Sequence, residues 1–342
     1  MINSFPYLIA EISANHCGKY AIAKKLVTLA KKNGANAVKL QTYTAKTMTI
    51  NSKKKYFKIK EGLWKNYTLW ELYEEAHTPW SWHEKLFLYG KEIGITVFST
   101  PFDETAVDFL ESLKCPIYKV ASFEMTDLPL VKKIAQTKKP MIISTGMANL
   151  NEIEKTYRVA KKFGSGDITL LYCVSNYPSK KSDFNINNIK ILKDKFKCRV
   201  GLSDHSNDRD IAIAAVSAGA EVFEKHIALK NQKKGLDIEF SLKGSELKTY
   251  KDTITDAYSL LGKNYFFRSK DEAKSKIFRR SIFSVAKIRK GEKFSKLNIR
   301  RIRPGNGLSP EYYETLIGKK SPFDFTVGEP LTMKLIRKLK IK

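Results

Sequence analysis

Two histidines each close a short apolar run that reads as a strand: His205 in Gly201-Leu202-Ser203-Asp204-His205-Ser206, and His226 in Glu221-Val222-Phe223-Glu224-Lys225-His226. The stretch between them, 210–218, is helical in pattern and stops at Gly219, so the segment is one strand-helix-strand unit. Strands joined this way are parallel, so both imidazoles emerge on the same edge of the sheet and can converge on one divalent ion. The alternative is a pair of histidines satisfied by backbone carbonyls. Spacing alone leaves both readings open.

The elements that must position such a pair recur along the chain. Short apolar strands are read at 7–12, 37–41, 96–99, 116–121, 140–144, 168–173, 199–202 and 221–225, with amphipathic runs of helical period between most of them, as at 21–32, 106–113 and 151–163. This alternation implies a parallel sheet covered by helices. Eight such units over residues 1–265 predict an α/β (β/α)8 TIM barrel, with an open doubly wound sheet as the alternative. No G-x-G-x-x-G follows the first strand, which weakens the dinucleotide-binding form of that alternative. A long insertion, 42–78, carries Gly62-Leu63-Trp64 and Leu69-Trp70-Glu71-Leu72-Tyr73 and is expected to shape a substrate pocket. Beyond the barrel, 266–279 reads as a charged linker and 280–342 as a small β-rich module with closely spaced turns.

In a barrel the reactive groups stand at the carboxyl ends of the strands. Those ends carry Glu11 with Asn15 and His16, then Lys39 and Gln41, then Ser99 and Thr100. The later ends carry Lys119, Ser122 and Glu124, then Ser144-Thr145-Gly146, then Ser175, Asn176 and Tyr177, and finally Ser203 to His205 and His226. Hydroxyls, two lysines and a glycine-containing turn are suited to phosphate, because they offer donors and positive charge without bulk. Helix capping would explain any single hydroxyl. It explains Lys119 poorly, since a lysine inside an apolar strand needs a partner. Phosphate is one partner, and a Schiff-base role for Lys39 or Lys119 is another. Asp103, Glu104 and Asp108 read as helix-start and helix-face charges, and His77 and His83 as structural or surface residues.

Composition sets the outer limits. The 342 residues are 42% hydrophobic and 11% aromatic, as in a folded protein. No apolar run approaches the roughly 20 residues that cross a bilayer, and no secretory pattern opens the sequence, so a cytoplasmic protein with no membrane partner is expected. Four cysteines without any C-x-x-C pair argue against a zinc ribbon or a disulfide framework. The formal charge of +27 is spread through every segment and forms no single basic block, which argues against nucleic acid as a partner.

Taken together, the motifs resemble those of the sialic acid synthase family, the phosphoenolpyruvate-dependent synthases of nine-carbon sugars. The resemblance lies in Ile9-Ala10-Glu11-Ile12-Ser13-Ala14-Asn15-His16, Lys39-Leu40-Gln41-Thr42, Ser99-Thr100-Pro101-Phe102, Tyr118-Lys119-Val120-Ala121-Ser122 and Ile143-Ser144-Thr145-Gly146-Met147. It continues through Gly201 to Ser206, Glu224-Lys225-His226 and Arg303-Pro304-Gly305-Asn306-Gly307. It implies a TIM barrel followed by an antifreeze-like, or SAF, domain. It further implies a phosphoenolpyruvate site at Lys119, Ser122, Ser144, Ser175 and Ser203, further substrate contacts at Lys39 and Thr100, and a divalent metal, Mn²⁺ or Mg²⁺, on His205 and His226. Glu11, Glu124 and His226 would carry the chemistry, and Gln41, Tyr177 and Asp237 would contact an acylated aminohexose. The resemblance also implies a homodimer in which Arg303 of one SAF domain reaches the other subunit's site. Within the family the aromatic insertion looks like the branch that makes pseudaminic acid from 2,4-diacetamido-2,4,6-trideoxy-altrose. N-acetylneuraminate and legionaminate synthesis are the alternatives. The chain departs from frequent family residues at Ser175, Leu236 and Ile227.

Overall fold

The structure, a computed structural model, describes residues 5–341. Residues 1–4 and 342, where the expected outer limits of the two domains fall, lie outside the described residues. The chain divides into two compact units, Met1–Gly262 and Lys263–Lys342.

In the first unit eight strands run parallel to their neighbours: β1 Tyr7–Glu11, β2 Ala37–Thr42, β3 Thr96–Pro101, β4 Tyr118–Val120, β5 Met141–Ser144, β6 Ile168–Cys173, β7 Arg199–Asp204 and β8 Val222–Ala228. β1 pairs with β2 on one side and β8 on the other, so the sheet closes on itself. Closure decides for the barrel over the open sheet. All eight strands are almost wholly buried, as expected for parallel strands covered on both faces. A short ninth strand, β9 Leu242–Lys243, pairs parallel with the last two residues of β8, Ile227 and Ala228.

Local sequence starts the helices where the strands end. Asp103 accepts from the Thr105 and Ala106 amides at the head of helix Glu104–Ser112, which accounts for it as a cap. Asn149 and Glu152 form a capping box on Leu150–Phe163, and Thr68 and Glu71 another on Leu69–Ala76. The latter helix lies within the insertion, which is thus folded. Tyr43 packs edge-on against Phe102 and Tyr73, with centroids 5.0 and 5.8 Å apart, and Trp80 stacks on Phe109 at 4.6 Å. Trp64 donates its indole N–H to the Leu236 carbonyl at 3.0 Å, joining the insertion to the loop after β8.

The second unit builds its own core from Ile282, Ile288, Phe294, Ile299, Leu308, Leu316 and Leu331 around an antiparallel pair, β10 Ser281–Ser284 and β11 Ile299–Ile302. Isolated bridges, turns and the short helices Tyr313–Leu316 and Met333–Leu339 complete it. The charged stretch near the start of this unit contains a short helix, Lys270–Lys274, capped by Ser269.

Candidate active site

Barrel register brings the charged strand residues together. Glu11 stands opposite Lys39 on one side and His226 on the other. The Lys39 ammonium pairs with Glu11, lies 3.6 Å from Glu224 Oε1 and donates to Thr100 Oγ1 at 3.2 Å. Lys119 donates to Ser144 Oγ at 2.7 Å and to the Val120 carbonyl at 3.0 Å, and its ammonium lies 3.9 Å from the same Glu224 oxygen. Two buried cations therefore share a buried carboxylate. Burial pushes the Lys119 pKa down, with Glu224 working against it. Burial also acts to raise the Glu224 carboxyl, but Lys119 and Lys39 outweigh it and hold the group below its ordinary value. Glu11 is pushed up to about 7, mainly by burial and despite Lys39.

Next to this cluster lies a ring of hydroxyls. Ser203 donates to Glu224 Oε1 at 3.4 Å, and Ser122 Oγ accepts from the Gly146 amide at 3.1 Å. A Cβ at Gly146 would stand 2.2 Å from Ser175 Oγ and 2.8 Å from Ser122 Oγ, so only glycine lets both hydroxyls approach this turn. Lys119, Ser122, Ser144, Ser175 and Ser203, expected from sequence to form a phosphate cradle, thus line adjoining strand ends β4 to β7.

The two histidines stand with ring centroids 5.4 Å apart. His205 Nδ1 lies 3.1 Å from the Val174 carbonyl oxygen, the arrangement that leaves Nε2 available to a ligand. The backbone contact and a ligand role are therefore compatible on this ring. His226 Nδ1 is buried with no hydrogen-bond partner among the described residues, 3.8 Å from Asp237 Oδ2, and burial followed by the neighbouring His205 holds its pKa well below the ordinary value. A neutral imidazole with an unsatisfied buried nitrogen beside a second imidazole fits a divalent cation. Among the described residues no cluster of three or more His, Cys, Asp and Glu forms a metal centre, so water and substrate would have to complete the coordination of any ion held here.

Above these groups is a cavity of about 390 Å³. Its walls include Tyr43, Met48, Trp64, Tyr73, Phe123 and Phe240, and Gln41, Glu124, Asp237 and His226 supply polar groups. Tyr177 packs against Trp64, His205 and Phe240 at 5.6, 4.5 and 5.2 Å between centroids. Gln41 donates to Ser13 Oγ at 3.1 Å, and Ser13 in turn donates to Asp237. Glu124 is pushed up to about 7 by burial, and its Oε2 has no partner among the described residues. Two larger clefts, of about 830 and 820 Å³, hold none of these strand-end groups.

Glu224, which the sequence shows only as part of Glu224-Lys225-His226, is the carboxylate both lysines face. Its signal was available, because a carboxylate inside an apolar strand raises the same question as Lys119. Ser13 and Phe240 carried no comparable signal. His83 is buried and hydrogen-bonds Thr42 Oγ1 at 2.8 Å, while His77 bonds the Glu74 carbonyl oxygen at 2.7 Å, so both have structural partners. Arg303 is exposed in the second unit. There Gly305 and Gly307 are needed for close backbone approach, since a Cβ on either would meet a carbonyl oxygen at 2.6 Å.

Comparison with known proteins places this site in context. Pseudaminic acid synthase of Campylobacter jejuni is 42% identical over 95% of each chain. The N,N'-diacetyllegionaminic acid synthase of the same species is 39% identical over 91% of this chain and 94% of its own. The crystal structure of an N-acetylneuraminic acid synthetase from Leptospira borgpetersenii superposes with a TM-score of 0.72 at 28% identity, covering 80% of this chain and 90% of that one. The SAF domain model matches residues 279–337. With the NeuB family model matching residues 26–265 across the closed barrel, the chain belongs to the NeuB family, that of the sialic acid synthases.

Proposed function

We propose that this protein is a pseudaminic acid synthase, joining phosphoenolpyruvate to open-chain 2,4-diacetamido-2,4,6-trideoxy-altrose with release of phosphate. The observation that carries the proposal is the presence of two environments at the same strand ends: a cluster of two buried lysines and several hydroxyls, and an aromatic cavity lined by Gln41, Glu124, Tyr177 and His226 from those same strand ends. An anionic three-carbon donor suits the first, and a deoxy sugar with a C6 methyl and two acetamido methyls suits the second. The 42% identity to a pseudaminic acid synthase supports the same choice.

In this reading Lys119, Lys39 and the hydroxyls of Thr100, Ser122, Ser144, Ser175 and Ser203 bind the phosphate and carboxylate of phosphoenolpyruvate and fix its C3 toward the sugar aldehyde. C3 forms a bond to the aldehyde carbon, and the aldehyde oxygen takes up a proton. Water then adds at C2, and the C2–O bond to phosphate breaks to leave the 2-keto acid. Glu11 and Glu124, both held near 7, can accept the water proton or supply the aldehyde proton. Gln41, Tyr177 and Asp237 orient the sugar. His205 and His226 would hold Mn²⁺ or Mg²⁺, which supplies Lewis-acid polarisation of the aldehyde when bound. We further propose a cytoplasmic homodimer in which Arg303 reaches the partner subunit's sugar, its planar guanidinium donating to an N-acyl oxygen. No helix among the described residues is long and apolar enough to cross a membrane.

Phosphate release from phosphoenolpyruvate is to be measured with a panel of aminohexoses, with and without a chelator. The diacetamido-trideoxy-altrose should give the highest kcat/KM and chelation should abolish turnover. A preference for N-acetylmannosamine or the legionaminate precursor would replace the substrate assignment, and full activity after exhaustive chelation would refute the metal assignment.

A further inference from the structure

Directly behind the two histidines lies a buried polar cluster that the proposed reaction does not use. Side chains alternate along paired strands, and the register at the ends of β7 and β8 makes the consequence explicit. Ser203 pairs with Glu224 and Asp204 with Lys225, so the next residue on each strand is a histidine. Ser203 and Glu224 face the lysines inside the barrel, whereas Asp204 and Lys225 meet each other on the opposite side, where Asp204 also meets Tyr250 of the helix Glu246–Leu260. Asp204 and Lys225 are each 1% exposed, with Lys225 Nζ 3.6 Å from Asp204 Oδ2. The Tyr250 hydroxyl donates to that same oxygen at 3.0 Å. Asp204 Oδ1 accepts from the Ser206 amide at 2.8 Å and from the Ser206 hydroxyl at 2.7 Å. Lys225 Nζ also donates to the Ser206 carbonyl.

His205 is therefore bracketed. The residue before it and the residue after it are tied to each other and to the residue before His226. A buried ion pair alone is weak evidence for a stabilising role, since removing two charges from water is costly and an apolar pair of similar size would often serve as well. What this arrangement supplies and an apolar pair would not is a directional link between the two backbone points that carry the imidazoles.

We infer that Asp204, Lys225 and Tyr250 are positioning residues, a strut that sets the separation of His205 and His226 and thereby the affinity of the pair for a divalent cation. This rests on the reading of His205 and His226 as metal ligands. Outer residues that orient metal ligands typically change metal affinity by about 10- to 100-fold when replaced.

The test is Mn²⁺ binding to the full chain without substrates, followed by the electron paramagnetic resonance signal of free Mn²⁺. Thermal unfolding and phosphoenolpyruvate binding in the metal-free protein are measured alongside. Tyr250→Phe removes one hydroxyl and keeps the ring, and the paired Asp204→Asn, Lys225→Met variant removes both charges. The expected result is Mn²⁺ affinity weaker by about 10-fold or more in the paired variant and by a smaller factor in Tyr250→Phe, with phosphoenolpyruvate affinity within twofold of the parent. If the parent binds Mn²⁺ and both folded variants bind it equally well, the strut is refuted while the metal site stands. If the parent itself binds no Mn²⁺, the metal reading fails and the strut with it. Equal losses of Mn²⁺ and phosphoenolpyruvate affinity would assign the cluster a general structural role and overturn the inference. Should the paired variant not fold, Tyr250→Phe alone decides by the same criteria.

Discussion

Replacing Lys119 by methionine keeps most of the buried stem and removes only the ammonium. In the free enzyme that ammonium is held by Ser144 Oγ at 2.7 Å and the Val120 carbonyl at 3.0 Å, so it is aimed before any substrate arrives. Its loss leaves Glu224 still facing Lys39 at 3.6 Å and accepting from Ser203 at 3.4 Å, and it relieves the cost of a buried cation. The variant should therefore fold. A hydrogen bond to a charged group contributes about 1.5–3 kcal/mol. With about 1.36 kcal/mol per factor of ten, the KM for phosphoenolpyruvate should rise by about 10- to 150-fold. Initial rates of phosphate release, with phosphoenolpyruvate varied at saturating aminohexose and then the reverse, separate the two KM values. A phosphoenolpyruvate KM within twofold of the parent would refute the phosphate-cradle argument. An equal rise in both KM values together with a lower melting temperature would identify Lys119 as a counter-ion to Glu224 and nothing more.

Gly146→Ala should raise the phosphoenolpyruvate KM by at least about 10-fold, because the added methyl cannot coexist with the present Ser122 and Ser175 hydroxyl positions and displaces two donors; unchanged kinetics would show that those hydroxyls do not touch the donor. Glu124 has its pKa raised from the ordinary carboxyl value of 4.5 to about 7, so its burial favours the folded state at low pH and that contribution is lost as pH rises through 7. Glu124→Gln should thus lose about 3 kcal/mol less stability than the parent between pH 4.5 and 8, read from urea unfolding, and should also lack a kcat inflection near 7; parallel curves would refute the perturbed carboxyl. Trp64→Leu removes the hydrogen bond to Leu236, next to Asp237, and the packing on Tyr177, so the sugar KM should rise about 10-fold with the phosphoenolpyruvate KM unchanged; the opposite split would remove Trp64 from the sugar side. Mixing Glu11→Ala with Arg303→Ala should restore part of the activity if Arg303 acts across a dimer, whereas absence of rescue, with subunit exchange demonstrated, would mean it acts within its own chain or not at all.

Much of this site is readable in the sequence because a parallel barrel sends every strand's carboxyl end to one side. Once eight apolar runs alternate with helical ones, the residue after each run belongs to one neighbourhood without any knowledge of distance. That logic brought Lys39, Lys119, Ser144, His205 and His226 to one mouth, and β1 pairing with β8 makes it hold by joining the first and last ends. It has no purchase on contacts made by loops. Ser13 meets Asp237 across 224 positions, and Trp64 meets Leu236 across 172, through chain whose path no periodicity specifies. Nor does it say which face of a strand a charge takes when neighbouring residues are both charged, as with Glu224 and Lys225. Glu224 turns inward to Lys39 and Lys119, and Lys225 outward to Asp204. The pleat assigns them opposite tasks, one beside the chemistry and one behind it, and only register across three strands tells which is which. Strand-end chemistry is thus a property of fold class, while the second layer that aims it is a property of register, and for that reason the Asp204–Lys225 link came into view only with the structure.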